Sequence, residues 1–379
     1  MKVLSLEDDR EGGMTLRKKV RAFLAISFLF FSVLPFPPAF AGTPSKEDEK
    51  EIALGKKVCE QVEEKWQRVA DPVRVARLQA ILQRILPEAK RPLEYEVRLI
   101  EDDQPNAFSL PGGFIYFTTG MIQFAKSDAE LAAIMAHEMV HAEKKHVMIQ
   151  SARNERLSLI ALAVAVASKG EAAAVIMANV VQVAVLNAYS RDLEKEADYG
   201  ALEILHDTGF PVASAVTVME RLAEERLKHP YVDPGVFMDH PDLPERIDYL
   251  IRKIKDSGWP LNRKEPLHLL RTAVAESGSL LLLTVDGKPA WSGQRNDGTR
   301  SFLEGIRRKL DQSLQMELLP NDIALFREAG DVSVRVGPQV IVRGRDLPDG
   351  MGPLEELAGN LRKAIIDAKR THPMGHYLL

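Results

Sequence analysis

One cysteine, Cys59, stands in a chain of 379 residues. It excludes an intramolecular disulfide and a cysteine-rich metal site, so any metal must be held by histidines and carboxylates. Lys and Arg number 50 against 54 Asp and Glu, a net charge of −4, so the basic excess that a nucleic-acid binder needs to follow phosphates is missing. No nucleic-acid partner is expected. Aromatic residues make up 6% of the chain, and no apolar run reaches the roughly 20 residues that a membrane-crossing helix requires. With 45% hydrophobic and 27% charged residues the composition is that of a globular protein long enough for two domains.

The longest apolar run of the N-terminal region, Ala22 to Leu34, follows Arg17-Lys18-Lys19-Val20-Arg21 and precedes Ala39-Phe40-Ala41. Basic, apolar and small-x-small segments in that order are the grammar of a signal peptide, so residues 1–41 are expected to be removed after Ala41 and the chain exported, to the periplasm or its equivalent. The 13 residues ahead of Met14 are acidic and polar, and Met14 is an alternative start. Cleavage leaves 44 basic against 50 acidic residues. Cys59 lies well inside the mature chain, where a lipid anchor on a terminal cysteine has no place.

Helical spacing of apolar residues from Glu47 to Leu86, broken at Asp71-Pro72, predicts two helices. Tyr95–Ile100 alternates as a strand does, and Phe114–Phe117 after Pro111-Gly112-Gly113 reads as another. Ser127 and Glu130 have capping-box spacing ahead of a long helix expected to run to Met148. Two short apolar segments, Leu157–Ala167 and Ala172–Leu186, read as a helical hairpin, with a lipid-facing or mobile cover as the sharper alternative. Helices are expected at 191–205, 211–227 and 245–254.

A Gly/Pro-containing stretch at 257–266 marks a boundary, giving a 42–262 domain and a smaller α+β domain at 263–379. In the latter, hairpins at 280–291 and 332–342 are each followed by a helix. The two units align at an offset of 51, as in Leu281/Val332, Gly293/Gly344 and Leu303/Leu354, the pattern of an internal duplication.

The chemistry concentrates in His137-Glu138-Met139-Val140-His141. Histidines one helical turn apart face the same side and can bind one zinc ion, with Glu138 beside them as general base. A third ligand is required, and Glu194-Lys195-Glu196-Ala197-Asp198 supplies candidates on a second helix. Glu194 and Asp198 share a face, whereas Glu196 lies about 200° round from Glu194 and is expected to face solvent. Glu194 is therefore the expected ligand, and Asp198 the acceptor for the free ring N–H of His137. His146, nine residues from His137, is expected on nearly the opposite side of the helix, in a structural role or supporting a ligand from behind. With one zinc lowering the pKa of a water and Glu138 taking its proton, the set describes peptide hydrolysis.

From Glu47 to about Ile254 the chain resembles the HtpX and CAAX-prenyl-protease (Ste-type) family of zinc metallopeptidases, in its soluble, exported BepA-like branch. The matching pieces are Asn106–Gly113, His137–His141, Ser190-Arg191 leading to Glu194 and Asp198, and His240-Pro241 followed by Arg246-Ile247. The resemblance implies a mainly α, zincin-type (gluzincin) domain with a small β-sheet. It implies an edge strand after Asn106 that binds protein or peptide substrates as an extended strand. It further implies that Asn106 and His240 lie near the zinc and steady an oxyanion, that His240 holds the enzyme latent, and that Arg246 supports the site. Unlike the membrane members, this chain lacks spanning helices after residue 41, so at most peripheral membrane contact is implied. The α+β tail also differs from the helical repeats of BepA-like proteins, and their assembly partners are not implied. The function expected is an exported zinc endopeptidase acting on misfolded or misassembled envelope proteins. The alternative is a chaperone or assembly factor that holds extended segments with little cutting, which has no need of Glu138.

Overall fold

The computed structural model describes residues 42–159, 161–162, 171–186, 189–228, 243–328 and 330–372. Residues 1–41, on which the expected signal peptide falls, most of the first apolar segment and His240 lie outside the described residues.

Two helices open the described chain, α1 (Lys46–Lys65) and α2 (Pro72–Ile85). Their starts are written in side chains: Ser45 accepts from the Asp48 amide, and Asp71 accepts from the amides of Val73 and Arg74 with proline at the first helical position. A three-stranded sheet follows in the order β1 (Glu96–Ile100), β3 (Phe114–Thr118), β2 (Ala107–Leu110). β1 runs parallel to β3, and β2 is antiparallel to it with Ala107 opposite Phe117 and Leu110 opposite Phe114. β2 is thus the terminal strand. The turn between β2 and β3 uses Gly112 and Gly113 at φ 86° and 98°. A Cβ on Gly112 would stand 2.7 Å from the Ile52 Cα, so glycine is required both for the turn and for the approach of α1.

After the short α3 (Thr119–Phe124) comes α4 (Asp128–Glu143), buried along nearly its whole length. It is pinned at both ends. Ser127 Oγ accepts from the Glu130 amide, while the Glu130 carboxylate accepts from the Lys126 amide, the Thr217 hydroxyl and Arg221. At the other end the Arg91 guanidinium donates to the Ala142 and Glu143 carbonyls and pairs with Asp48 and Glu51. The expected continuation to Met148 does not occur. Lys145 adopts the left-handed conformation at φ 58°, and a separate helix α5 (His146–Asn154) begins there.

The second apolar segment forms α6 (Glu171–Val185), which packs with α1, α5 and β2 in a core of Val58, Val62, Phe108, Phe114, Val180 and Ala184 among others. Among the described residues no helix is long and apolar enough to cross a membrane. Three further helices complete the site-bearing part: α7 (Arg191–Asp207), α8 (Ala213–Lys228) and α9 (Leu243–Asp256).

Beyond a short α10 (Lys264–Leu267) the chain builds two units of one plan. The meander β4 (Thr272–Ser277), β5 (Leu280–Val285), β6 (Lys288–Gln294) precedes α11 (Asp297–Ser313), and β7 (Ile323–Glu328), β8 (Asp331–Val336), β9 (Gln339–Arg343) precedes α12 (Leu354–Thr371). Each strand of the second meander starts 51 residues after its counterpart, and so does the irregularity in strand register, at Leu283/Thr284 and Val334/Arg335. The sequence reading found two strands per unit and missed β4 and β7. Both units share one core containing Trp291, Leu303, Leu310, Val334, Ile341, Leu357 and Leu361.

Candidate metal centre and active site

α4 and α7 cross at the centre of the site, and Gly200 is what lets them approach. A Cβ there would stand 2.8 Å from a Val140 methyl. The crossing brings one face of α7, carrying Glu194 and Asp198, against the face of α4 that carries His137 and His141. All four are buried.

The Nε2 atoms of His137 and His141 are 2.9 Å apart. Glu194 brings Oε2 to 3.7 Å from His137 Nε2 and Oε1 to 3.6 Å from His141 Nε2. A four-coordinate zinc with ligand bonds of about 2.0–2.1 Å sets its donors roughly 3.3 Å apart. These three side chains are the metal-competent group among the described residues, with ligand atoms all within 4.8 Å of one another. Two imidazoles and a carboxylate are the chemistry of a catalytic zinc site with a position left for water, so the donor set fits that ion.

Behind His137, Asp198 Oδ1 stands 3.0 Å from Nδ1. The Arg246 guanidinium on α9 donates to both Asp198 oxygens at 2.9 and 2.7 Å, and its Nη1 is 2.9 Å from Glu194 Oε2. Tyr249, one turn further along α9, hydrogen-bonds Asp198 as well. Burial would raise the Asp198 carboxyl, but Arg246 and His137 outweigh it and hold it well below the usual carboxylate range. For His137, burial opposes the charged form, and the Asp198 and Glu194 carboxylates overcome it and raise its pKa.

Glu138 is fully buried, beside Ser109 of β2. Burial, reinforced by the Glu194 charge, pushes its carboxyl up to about 7, against the lowering effect of His137. Asn106 is buried at the start of β2, and its side-chain amide donates to the Val185 carbonyl at 3.1 Å, fastening the end of α6 to the strand.

Two aromatic neighbours, Tyr189 and Tyr249, escaped sequence reasoning, and a third neighbour, His146, fills the expected supporting role from an unexpected side. The Tyr189 ring stacks on His141 with centroids 4.1 Å apart. Tyr249 was hidden because its partner lies 51 residues away. His146 is not on the opposite side of the motif helix, since the break at Lys145 turns it back against His141. Glu196 is half-exposed as expected, yet it pairs with Lys144 and His146.

Residues 72–254 match the model of Peptidase family M48. The chain is 31% identical over 130 residues to the mitochondrial metalloendopeptidase OMA1 of Schizosaccharomyces pombe, covering 34% of this chain and 38% of that one. It is 32% identical over 133 residues to the Arabidopsis thaliana protein of the same name, covering 35% and 26%. Against the beta-barrel assembly-enhancing protease of Escherichia coli O157:H7 it is 25% identical over 209 residues, covering 52% and 42%. The chain thus spans less than half the length of these relatives. The matched segment contains the whole His137, His141, Glu194 group and the Asp198 and Arg246 side chains behind it, so the site lies inside the part of the chain that is similar to peptidase family M48.

Proposed function

We propose that the protein is a zinc-dependent endopeptidase, exported from the cytoplasm, that hydrolyses peptide bonds of misfolded or misassembled envelope proteins. The observation that carries this reading is the buried Glu138 carboxylate adjoining a three-ligand group of His137, His141 and Glu194. Bound zinc would supply Lewis acidity, acidifying a water and polarising the scissile carbonyl. Glu138 would take the proton from that water and return it to the leaving amine. Asp198 would keep the proton of His137 on Nδ1 so that Nε2 faces the metal, and Arg246 and Tyr249 would keep Asp198 charged and in place.

The substrate would lie as an extended strand beside β2, the terminal strand of its sheet, which runs past Glu138 at Ser109. An oxyanion role for Asn106 would require its bond to Val185 to yield when substrate enters. The zincin-type architecture is supported by two crossed, ligand-bearing helices next to a small sheet. The basic, apolar and small-x-small order of residues 17–41 supports export. Residues 42–262 would form the peptidase domain and 263–379 a duplicated binding or regulatory domain without a second catalytic centre.

A chromosomal Glu138→Gln exchange tests proteolysis against holding. Accumulation of uncleaved envelope proteins, with zinc retained, is the expected result. Undisturbed turnover of those proteins would show that the groove holds segments without cutting them.

A further inference from the structure

His146 has no part in the metal group, yet it is completely buried against it. Had α4 continued, nine residues would have carried this side chain round to nearly the opposite face from His137. Instead the left-handed Lys145 starts a new helix, and His146 Nδ1 comes to 3.0 Å from His141 Nδ1. Its other nitrogen, Nε2, is 3.3 Å from Glu196 Oε2. The opposite oxygen of Glu196 pairs with Lys144 Nζ at 2.8 Å, so the carboxylate is held from the turn itself.

Proton bookkeeping leaves one arrangement. His141 faces His137 and Glu194 with Nε2, so a neutral, metal-binding His141 carries its proton on Nδ1 and donates there. His146 Nδ1 must then accept, which puts the His146 proton on Nε2. That nitrogen faces an ionised carboxylate, which can only accept. The three contacts are therefore mutually consistent in a single tautomeric state, running His141 to His146 to Glu196.

We propose that His146 is a positioning residue for the zinc ligand His141, and that Glu196 sets the tautomer in which His146 can do so. His137 is held directly by a carboxylate, and His141 is held through a neutral imidazole that relays to one. A ligand oriented by a neutral acceptor is less basic than one oriented by Asp198, so the two histidines are unequal donors. The inference rests on the reading that His137, His141 and Glu194 hold zinc.

The test is made on the full chain, with zinc affinity measured by competition with a chromophoric chelator and tautomers read from histidine nitrogen-15 spectra. In the zinc-loaded wild type, His141 is expected with its proton on Nδ1 and His146 with its proton on Nε2. His146→Phe is expected to weaken zinc binding about 10- to 100-fold, the usual cost of losing an outer hydrogen-bond partner of a metal ligand. His146→Gln, whose amide oxygen can accept from His141, should recover most of that loss, and the half-exposed Glu196→Ala should weaken binding by a smaller factor. A folded His146→Phe that binds zinc as tightly as wild type overturns the proposal, as does a His146 proton found on Nδ1 in the wild type. Should His146→Phe fail to fold, the wild-type tautomers and Glu196→Ala decide. His141→Ala separates the two levels. Loss of zinc in that variant leaves the metal-site reading standing whatever His146 does, and retained zinc removes the reading itself.

Discussion

Glu138 and Asp198 are both fully buried carboxylates, and their surroundings drive them in opposite directions. Glu138 has burial and the Glu194 charge raising it to about 7, while Asp198 is held low because Arg246 and His137 more than offset its burial. One is thereby suited to exchange protons and the other to remain charged as a fixed support. A group whose pKa is depressed by folding contributes stability that is complete above its unfolded value, near 3.9, and lost as pH falls through the folded value. Asp198 should therefore make the chain lose stability progressively below about pH 4. Chemical denaturation between pH 6 and pH 3 checks this, with Arg246→Ala as the control. Removing Arg246 leaves Asp198 buried without its main counter-charge and should cost on the order of 3–5 kcal/mol at neutral pH, flattening the acid limb. Equal acid sensitivity in both proteins would place the effect elsewhere.

At the scale of elements, the site is the crossing of α4 and α7, and its closeness depends on Gly200. Val140 is β-branched and stiff in a helix, so it cannot easily move aside for an added methyl. Gly200→Ala should destabilise the chain by about 1–3 kcal/mol and weaken zinc binding, because the helices carrying the two halves of the ligand set are pushed apart. Thermal unfolding with and without a chelator checks it; an unchanged melting temperature would mean that the crossing relaxes freely. Both helices and their ligand faces were legible in the sequence because capping residues and apolar periodicity are local signals: Ser127 does start α4, and Glu194 and Asp198 do share a face. The break after Glu143 was not legible. Lys144-Lys145 carries no glycine or proline, and the left-handed turn is repaid by tertiary contacts from Glu196 and Glu51 that a local pattern does not contain. The strands β4 and β7 were missed for a similar reason. Much of each is exposed, and neither has the continuous leucine run of β5 or the apolar alternation of β8.

Across the whole molecule, the peptidase part and the C-terminal part meet at a buried charge cluster. Arg263 donates to Glu220 of α8 through Nε and Nη2, and to Glu317 through Nη1, while His372 at the end of α12 stands 3.0 Å from Glu220 Oε2. On the same helix, Thr217, about one turn before Glu220, and Arg221, the next residue, hold Glu130 at the start of α4. Arg263→Ala leaves the buried Glu220 carboxylate with His372 in place of its guanidinium and should cost about 3–5 kcal/mol. Calorimetry is expected to show one unfolding transition in the wild type and two in the variant, one for each part; a merely lowered single transition in the variant would mean that other contacts keep them coupled. The bond of His372 to Glu220 spans 152 residues and exists only because α12 folds back onto α8, so no local pattern marks it.

The central claim is hydrolysis by Glu138 at a zinc held by His137, His141 and Glu194. Zinc content and cleavage of unfolded casein by the purified chain, wild type beside Glu138→Gln, test it most directly. The account predicts about one zinc per chain in both proteins, cleavage by wild type that a chelator stops and added zinc restores, and a loss of at least about 10²-fold in the variant. Cutting by Glu138→Gln at the wild-type rate, or a wild type that cuts without zinc, would contradict it.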